Sequence, residues 1–152
     1  MINLTKSLLI IIAFTLSVSA IAADLLMVRT RQSFPEAMLT LQTSVKEHGY
    51  TVAHVQRIDI GLTGMGYNTD KYRVVFIGKK KEIQYLINKY PVLAAYMPPQ
   101  ISIFAEHGET VLVTANPQIY ANMINFEKDK LIFKRWESDI YSVFDDIRLA
   151  DE

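Results

Sequence analysis

The chain of 152 residues contains no cysteine. This absence excludes disulfide bonds, thiolate zinc sites, iron–sulfur ligation and a cysteine nucleophile. Any fold of the chain is therefore held together by its apolar core. Half of the residues are apolar, and 16 basic side chains balance 16 acidic ones. This composition excludes a disordered polyelectrolyte and argues against broad electrostatic attraction to nucleic acid or anionic lipid.

Residues 1–22 have the three-part layout of a secretory signal peptide. Lys6 supplies the positive charge, Leu8–Val18 is a nearly unbroken apolar run, and a small-x-small cleavage signal ends at Ala22. A retained membrane anchor is the alternative, because an apolar stretch of about 17 residues is near the minimum for a spanning helix. We expect cleavage after Ala22 and a periplasmic or secreted protein, residues 23–152, with no transmembrane helix. An exported domain without disulfides fits a bacterial periplasm.

A helix is predicted over residues 34–48. Ser33 and Glu36 have the spacing of a capping box, and Pro35 lies in the first turn, where its missing N–H is not needed. Gly49 suits the left-handed position that ends a helix. This is the clearest local signal in the chain.

The remaining pattern predicts the element order β-α-β-β-α-β-β-α-α. Hairpins and short links dominate, which favours an α+β fold: a mostly antiparallel sheet with helices packed on one face, plus a C-terminal helix. His107-Gly108 is the predicted turn of a hairpin. We expect one α+β domain over residues 23–126 and a strand/helix extension over 127–152. The predicted strands are residues 25–30, 50–60, 72–77, 100–105 and 110–114, and the helices after the first are residues 79–90, 119–124 and a final one near the C-terminus.

Several segments together resemble the domain of unknown function family 302, over roughly residues 26–124. They are Ser33–Ala37, His48–Val52, Arg57–Ile60, Tyr72–Phe76, and Tyr96–Phe104 ahead of a Glu-x-Gly turn. The resemblance implies a small α+β fold on an antiparallel sheet, often found as dimers, with no agreed activity. A homodimer is therefore a possible partner state.

The chain departs from the pattern of that family at two places. Many relatives carry a cysteine directly after a Leu-Pro element, where this chain has Pro99, and an Asn-Pro where it has Gly78-Lys79. A role that depends on the thiol is therefore not carried over. The C-terminal helix is expected to lie outside the resemblance.

A glycine-rich tract, residues 61–70, follows the predicted strand that carries Arg57 and Asp59. Glycine backbone N–H groups can turn toward an anion, but the spacing is the reverse of the dinucleotide fingerprint and no helix is predicted after it. A mobile loop is the alternative. Arg57 and Asp59 would share a strand face, either as a structural ion pair or as an acid/base site. The predicted ligand-binding residues are Arg57, Asp59, Gly61, Gly64, Gly66 and Tyr67.

Other side chains suggest weaker alternatives. The three histidines are not expected to converge on a metal, and neither a cofactor motif nor a nucleophile–base pattern occurs. Lys79–Lys81 form either a solvated cluster or an anion-contacting patch. Six tyrosines either line a groove or pack the core with their hydroxyls at the rim. The histidines are His48, His54 and His107, and the tyrosines are Tyr67, Tyr72, Tyr85, Tyr90, Tyr96 and Tyr120.

The sequence thus favours a non-enzymatic exported protein that binds a small molecule or an envelope protein. One alternative is a hydrolase-like or other acid/base enzyme that uses Asp59 or His54. Another is an envelope interaction module, which should expose an apolar face on residues 136–149. No nucleic-acid partner, metal or cofactor is predicted.

Overall fold

A five-stranded antiparallel sheet forms the centre of the protein. The computed structural model describes residues 24–67 and 71–151. The strands lie in the order β1-β5-β4-β3-β2, and each neighbouring pair is antiparallel. The predicted α+β class is therefore confirmed. The strands are β1 Leu25–Thr30, β2 Thr51–Arg57, β3 Tyr72–Gly78, β4 Gln100–Glu106 and β5 Glu109–Ala115.

Five α-helices accompany the sheet within the described residues. None of them is long and apolar enough to cross a membrane. The predicted signal peptide, residues 1–22, lies outside the described part of the chain. The helices are α1 Phe34–Glu47, α2 Ile58–Gly64, α3 Lys80–Lys89, α4 Gln118–Ala121 and α5 Glu127–Leu149, with a 3-10 helix Pro91–Ala95 between α3 and β4.

The two clearest local predictions, the start of α1 and the β4–β5 turn, are confirmed. The Glu36 carboxylate accepts hydrogen bonds from the Ser33 N–H at 2.9 Å and from its hydroxyl at 2.6 Å. Gly49 ends the helix with φ +79°. His107 and Gly108, with φ 51° and 86°, both take the left-handed conformation that a two-residue hairpin turn requires.

The core lies between one face of the sheet and the helices α1 and α5. Alternate residues of β1, starting at Leu26, point inward and are buried, whereas Leu25 and Met27 are exposed on the other face. Helix α1 contributes Ala37, Leu41 and Val45 to the same cluster. Helix α5 contributes Phe133, Trp136, Ile140, Val143, Phe144 and Ile147. Because α1 and α5 cover the same face, the other face of the sheet is left without a helix across its strands in the part of the chain that the structure describes.

The predicted strand over residues 50–60 is wrong at its C-terminal end. Strand β2 stops at Arg57, and Ile58–Gly64 form the short helix α2. The tract predicted as a loop is thus helical at Gly61 and Gly64, and the turn comes at Gly66, with φ +90°. Tertiary contacts override the low helix propensity of glycine here, because the first-turn residue Asp59 is buried among ion-pair partners.

The extension predicted as strand and helix over residues 127–152 contains no strand among its described residues, and its short apolar run at Leu131–Phe133 is helical. Glu127–Leu149 form one continuous helix, with Glu127 and Asp129 in its first turn, where acidic groups suit the helix dipole. Its buried residues recur at the three- and four-residue spacing of a helix. Leu131 is 61% exposed, whereas Phe133 is fully buried. The helix packs against α1 and β1 and is part of the core.

Phe133 tests whether α5 supports the fold. Its ring lies 5.5 Å from the ring of Trp136, edge to face. We expect Phe133→Ala to lower the free energy of unfolding by about 3–5 kcal/mol, because it leaves a cavity in a closed core. The matched control Leu131→Ala should change it by less than about 0.5 kcal/mol. Urea unfolding followed by the fluorescence of Trp136 measures both. Equal effects of the two substitutions would show that α5 does not belong to the cooperative core.

Candidate functional site

A cavity of about 390 Å³ lies at the end of the sheet where β4 begins and β3 ends. Its wall includes the segment that leads from the 3-10 helix into β4, in which the Met97–Pro98 peptide bond is cis. The Pro99 carbonyl accepts a hydrogen bond from the Ile77 N–H at 2.9 Å, which ties this segment to β3. The volume lies within the range of small-molecule pockets.

Aromatic rings form much of the cavity wall. Tyr96 and Tyr120, two of the six tyrosines considered from the sequence, both line it with their ring centroids 5.9 Å apart, and Phe76 lines it from β3. Burial, and to a smaller extent the neighbouring Tyr96, raises the pKa of the Tyr120 hydroxyl. Tyr120 is therefore a neutral hydroxyl at physiological pH. These rings offer a ligand flat apolar surfaces.

Two polar side chains in the cavity are not used by the fold. Gln100 and Ser102 line it from β4, and neither side chain makes a hydrogen bond to the protein within the described residues. The Thr114 hydroxyl, in contrast, donates to the Gln100 carbonyl at 2.7 Å. The cavity thus combines apolar walls with an amide and a hydroxyl available to a ligand. No sequence pattern distinguishes Gln100 and Ser102 as site residues, because polar residues near the start of a strand carry no distinctive signal.

The predicted pair Arg57 and Asp59 forms, although the two residues lie on different elements. Asp59, on α2, accepts from Arg57 Nη2 at 3.0 Å and from Arg73 Nη1 at 2.6 Å. Its side chain is only 5% exposed. The hydrogen bond from Arg57, together with that from Arg73, holds the pKa of the Asp59 carboxyl below its ordinary value despite the desolvation that opposes it. Asp59 is therefore an ionised, paired group.

Arg73 is the member of this cluster that sequence reasoning missed. It lies directly opposite Arg57 in the β2–β3 ladder, and its guanidinium carbon is 5.7 Å from the centroid of the Phe34 ring. An arginine inside the apolar strand Tyr72–Ile77 was the available signal. Two guanidinium groups share one carboxylate, so the cluster as a whole carries a positive charge.

The other predicted ligand residues surround α2. A Cβ added at Gly61, Gly64 or Gly66 would meet no atom within 4 Å, and Tyr67 is 61% exposed. The surface around them is open. These residues, with Arg57 and Asp59, belong to the end of the sheet opposite to the cavity, and a role for them in ligand binding stays a prediction.

The three histidines are not brought together. His48 Nε2 lies 3.2 Å from an Asp146 carboxylate oxygen, His54 lies near Phe76 with ring centroids 6.1 Å apart, and His107 occupies the hairpin turn. Over residues 24–67 and 71–151, no group of three or more histidine, aspartate or glutamate side chains is placed to hold a metal.

The depressed pKa of Asp59 predicts a pH-dependent effect on stability. We expect Asp59→Asn to lower the melting temperature at pH 7 by roughly 5 °C, because the amide leaves both guanidinium groups without an anion. A carboxyl with a lowered folded-state pKa contributes stability above its ordinary pKa and loses that contribution as the pH falls through the folded-state value.

The difference in melting temperature between the wild type and Asp59→Asn should therefore be constant from pH 7 to about pH 5 and shrink below about pH 4. Thermal unfolding followed by circular dichroism measures it. Glu47→Gln, which removes a carboxylate without an ion-pair partner among the described residues, serves as the control. A difference that stays constant down to pH 2 would contradict the ion-pair account.

Comparison with known proteins agrees with this architecture. The family model described as Domain of unknown function DUF302 matches residues 26–147, so the match includes most of α5, which was expected to lie outside the resemblance. The fold is similar to the crystal structure of an uncharacterized conserved protein DUF302 from Bacillus stearothermophilus, with a TM-score of 0.74, 19% sequence identity, and coverage of 84% of this chain and 100% of that chain. No curated protein matches the chain. The chain belongs to the DUF302 family.

Proposed function

We propose that this DUF302 protein is an exported, non-enzymatic protein that binds a small molecule in the cavity beside Tyr96 and Tyr120. The observation that carries the proposal is the combination of a cavity of about 390 Å³ with two polar side chains, Gln100 and Ser102, that the fold leaves free. Small-molecule sites typically pair mostly apolar walls with a few such polar groups. Export rests on the layout of residues 1–22.

The lining of the cavity favours binding over catalysis. No carboxylate, histidine or lysine lines it among the described residues, and these are the side chains that most often act as a general base at neutral pH. Neither residue of the enzyme alternative lines the cavity. Asp59 is ionised and paired with two arginines, and His54 packs near Phe76.

The apolar side of α5 does not serve as an exposed interaction surface. Trp136, Ile140, Phe144 and Ile147 are buried in the core. An interaction module that works through residues 136–149 would need that side to be exposed. The geometry therefore favours the small-molecule proposal over this alternative.

The uncovered face of the sheet supports a second copy of the chain as partner. Met27 and Leu25, on β1, are 50% and 59% exposed on this face, and the rings of Tyr72 and Phe104 lie beside each other at 5.6 Å on the same face. We propose that two copies of the chain pack these faces together.

Met27→Glu tests the homodimer, because it places a charge in the proposed interface. We expect this variant to sediment as a monomer and the wild type as a dimer in sedimentation velocity. A wild type that sediments as a monomer at about 100 μM would contradict the homodimer.

Filling the cavity tests the small-molecule proposal. We expect native mass spectrometry of protein purified from its own host to show a bound small mass on the wild type. Ser102→Phe should remove it, because the new ring occupies the cavity from β4. Ala105→Phe, at an exposed position of the same strand outside the cavity, should retain it. The proposal fails if the wild type carries no bound mass or if Ser102→Phe still does.

A further inference from the structure

A second, larger hollow lies on the other side of Pro98. This groove, of about 560 Å³, runs between the edge strand β2 and helix α3. Its apolar lining consists of Ala53, Ile83, Ile87 and Pro98. It is separate from the cavity beside Tyr96 except for Pro98, which contributes to the wall of both.

Small residues keep the groove open. An ideal Cβ added at Gly78 would come within 2.1 Å of Ile83 Cδ1, so a side chain there would push the isoleucine into the groove. Ala53 lies where the register between β2 and β3 shifts, and its methyl group leaves room above the strand. Strand β2 is an edge strand of the sheet, so no further strand within residues 24–67 and 71–151 closes this side.

One charged side chain lines the groove. Lys80, at the start of α3, is exposed and has no ion-pair or hydrogen-bond partner among the described residues. The adjacent Lys79 is different, because it binds Asp139 at 3.0 Å and its ammonium lies 4.5 Å from the centroid of the Tyr50 ring. The positive charge at the groove is therefore not neutralised by the protein. An apolar groove with one free ammonium is complementary to an apolar chain with an anionic head.

We propose that this groove binds a single-chain anionic amphiphile of the fatty-acid class. The acyl chain lies on Ala53, Ile83 and Ile87, and the carboxylate pairs with Lys80. Burial of the acyl chain supplies most of the affinity, because removing apolar surface from water is the dominant favourable contribution to binding of this kind. The exposed ion pair contributes less and selects for the charged head. This site is independent of the proposed small-molecule cavity.

Isothermal titration with dodecanoate, below its micelle concentration, tests the apolar part. We expect saturable binding at one site per chain. Ala53→Phe fills the groove and should weaken binding roughly tenfold or more, with circular dichroism confirming that the variant is folded. Gln56→Phe, an exposed position of the same strand outside the groove, should leave the affinity unchanged. No saturable binding, or equal binding by Ala53→Phe, overturns the proposal.

The proposed ion pair between the ligand carboxylate and Lys80 is tested separately. Lys80→Gln should weaken dodecanoate binding about threefold and leave binding of 1-dodecanol, which has no charge, unchanged. Lys81→Gln, a neighbouring lysine that does not line the groove, should have no effect on either ligand. If Lys80→Gln leaves dodecanoate binding unchanged, the assignment of the anionic head is wrong.

Two further experiments distinguish binding in this groove from binding to a membrane surface and from binding in the cavity beside Tyr96. Vesicles of phosphatidylglycerol should not carry the protein into the pellet. If they do while free dodecanoate fails to bind, the ligand is a membrane surface and the proposal is overturned. Ser102→Phe should bind dodecanoate like the wild type. If it does not, the acyl chain lies in the cavity beside Tyr96 and the groove is not its site.

Discussion

The position of helix α5 is the constraint on which the rest of the structure depends. With no disulfide available, the burial of Phe133, Trp136 and Phe144 holds this helix against the sheet and α1. Four of its carboxylates also reach other elements, and Asp129, which is buried, needs such partners most. Asp129 binds Tyr85, Lys89 and Tyr90; Glu137 binds Asn116 and Gln118; Asp139 binds Tyr50 and Lys79; and Asp146 binds Ser44 and His48.

These contacts also hold α3 in place, and the position of α3 determines the shape of the cavity and of the groove. Glu82 of α3 accepts a hydrogen bond from the indole N–H of Trp136 at 2.7 Å. Helix α3 leads through the 3-10 helix to Pro98, which the cavity and the groove share. The core thus determines where the two walls of the groove stand. A change in the packing of α5 would therefore change the shape of both the cavity and the groove, although no residue of α5 lines either of them.

Local signals predicted those parts of the fold that depend on local chemistry. Ser33, Glu36 and Gly49 define α1, and His107-Gly108 define the hairpin, since each depends on a few neighbouring residues. Helix α2 was not predicted, because it depends on Arg73, which lies in another strand. The continuity of α5 was missed because Leu131 adds to an apolar run although it faces solvent.

The candidate site was predicted less well for the same reason. The pairing of Arg57 with Asp59 was foreseen from their proximity in the sequence, but the cavity is formed by Phe76, Gln100 and Tyr120 from three separate segments. No spacing in the chain links these residues. Tyr96 and Tyr120 were considered only as two of six tyrosines, since composition shows that aromatic rings are frequent and not which of them meet.

The contacts of Asp24 and Asp151 bear on how the protein can be joined to other domains. The Asp24 carbonyl accepts from the Asn116 N–H at the end of β1 near the cavity, whereas the Asp151 carboxylate accepts from the Thr30 hydroxyl and the N–H groups of Arg31 and Gln32 at the other end. The length of β1, roughly 20 Å, separates the two points. A domain fused ahead of Asp24 stands beside the cavity mouth, and one fused after Asp151 projects from the opposite end of the sheet and leaves the cavity accessible.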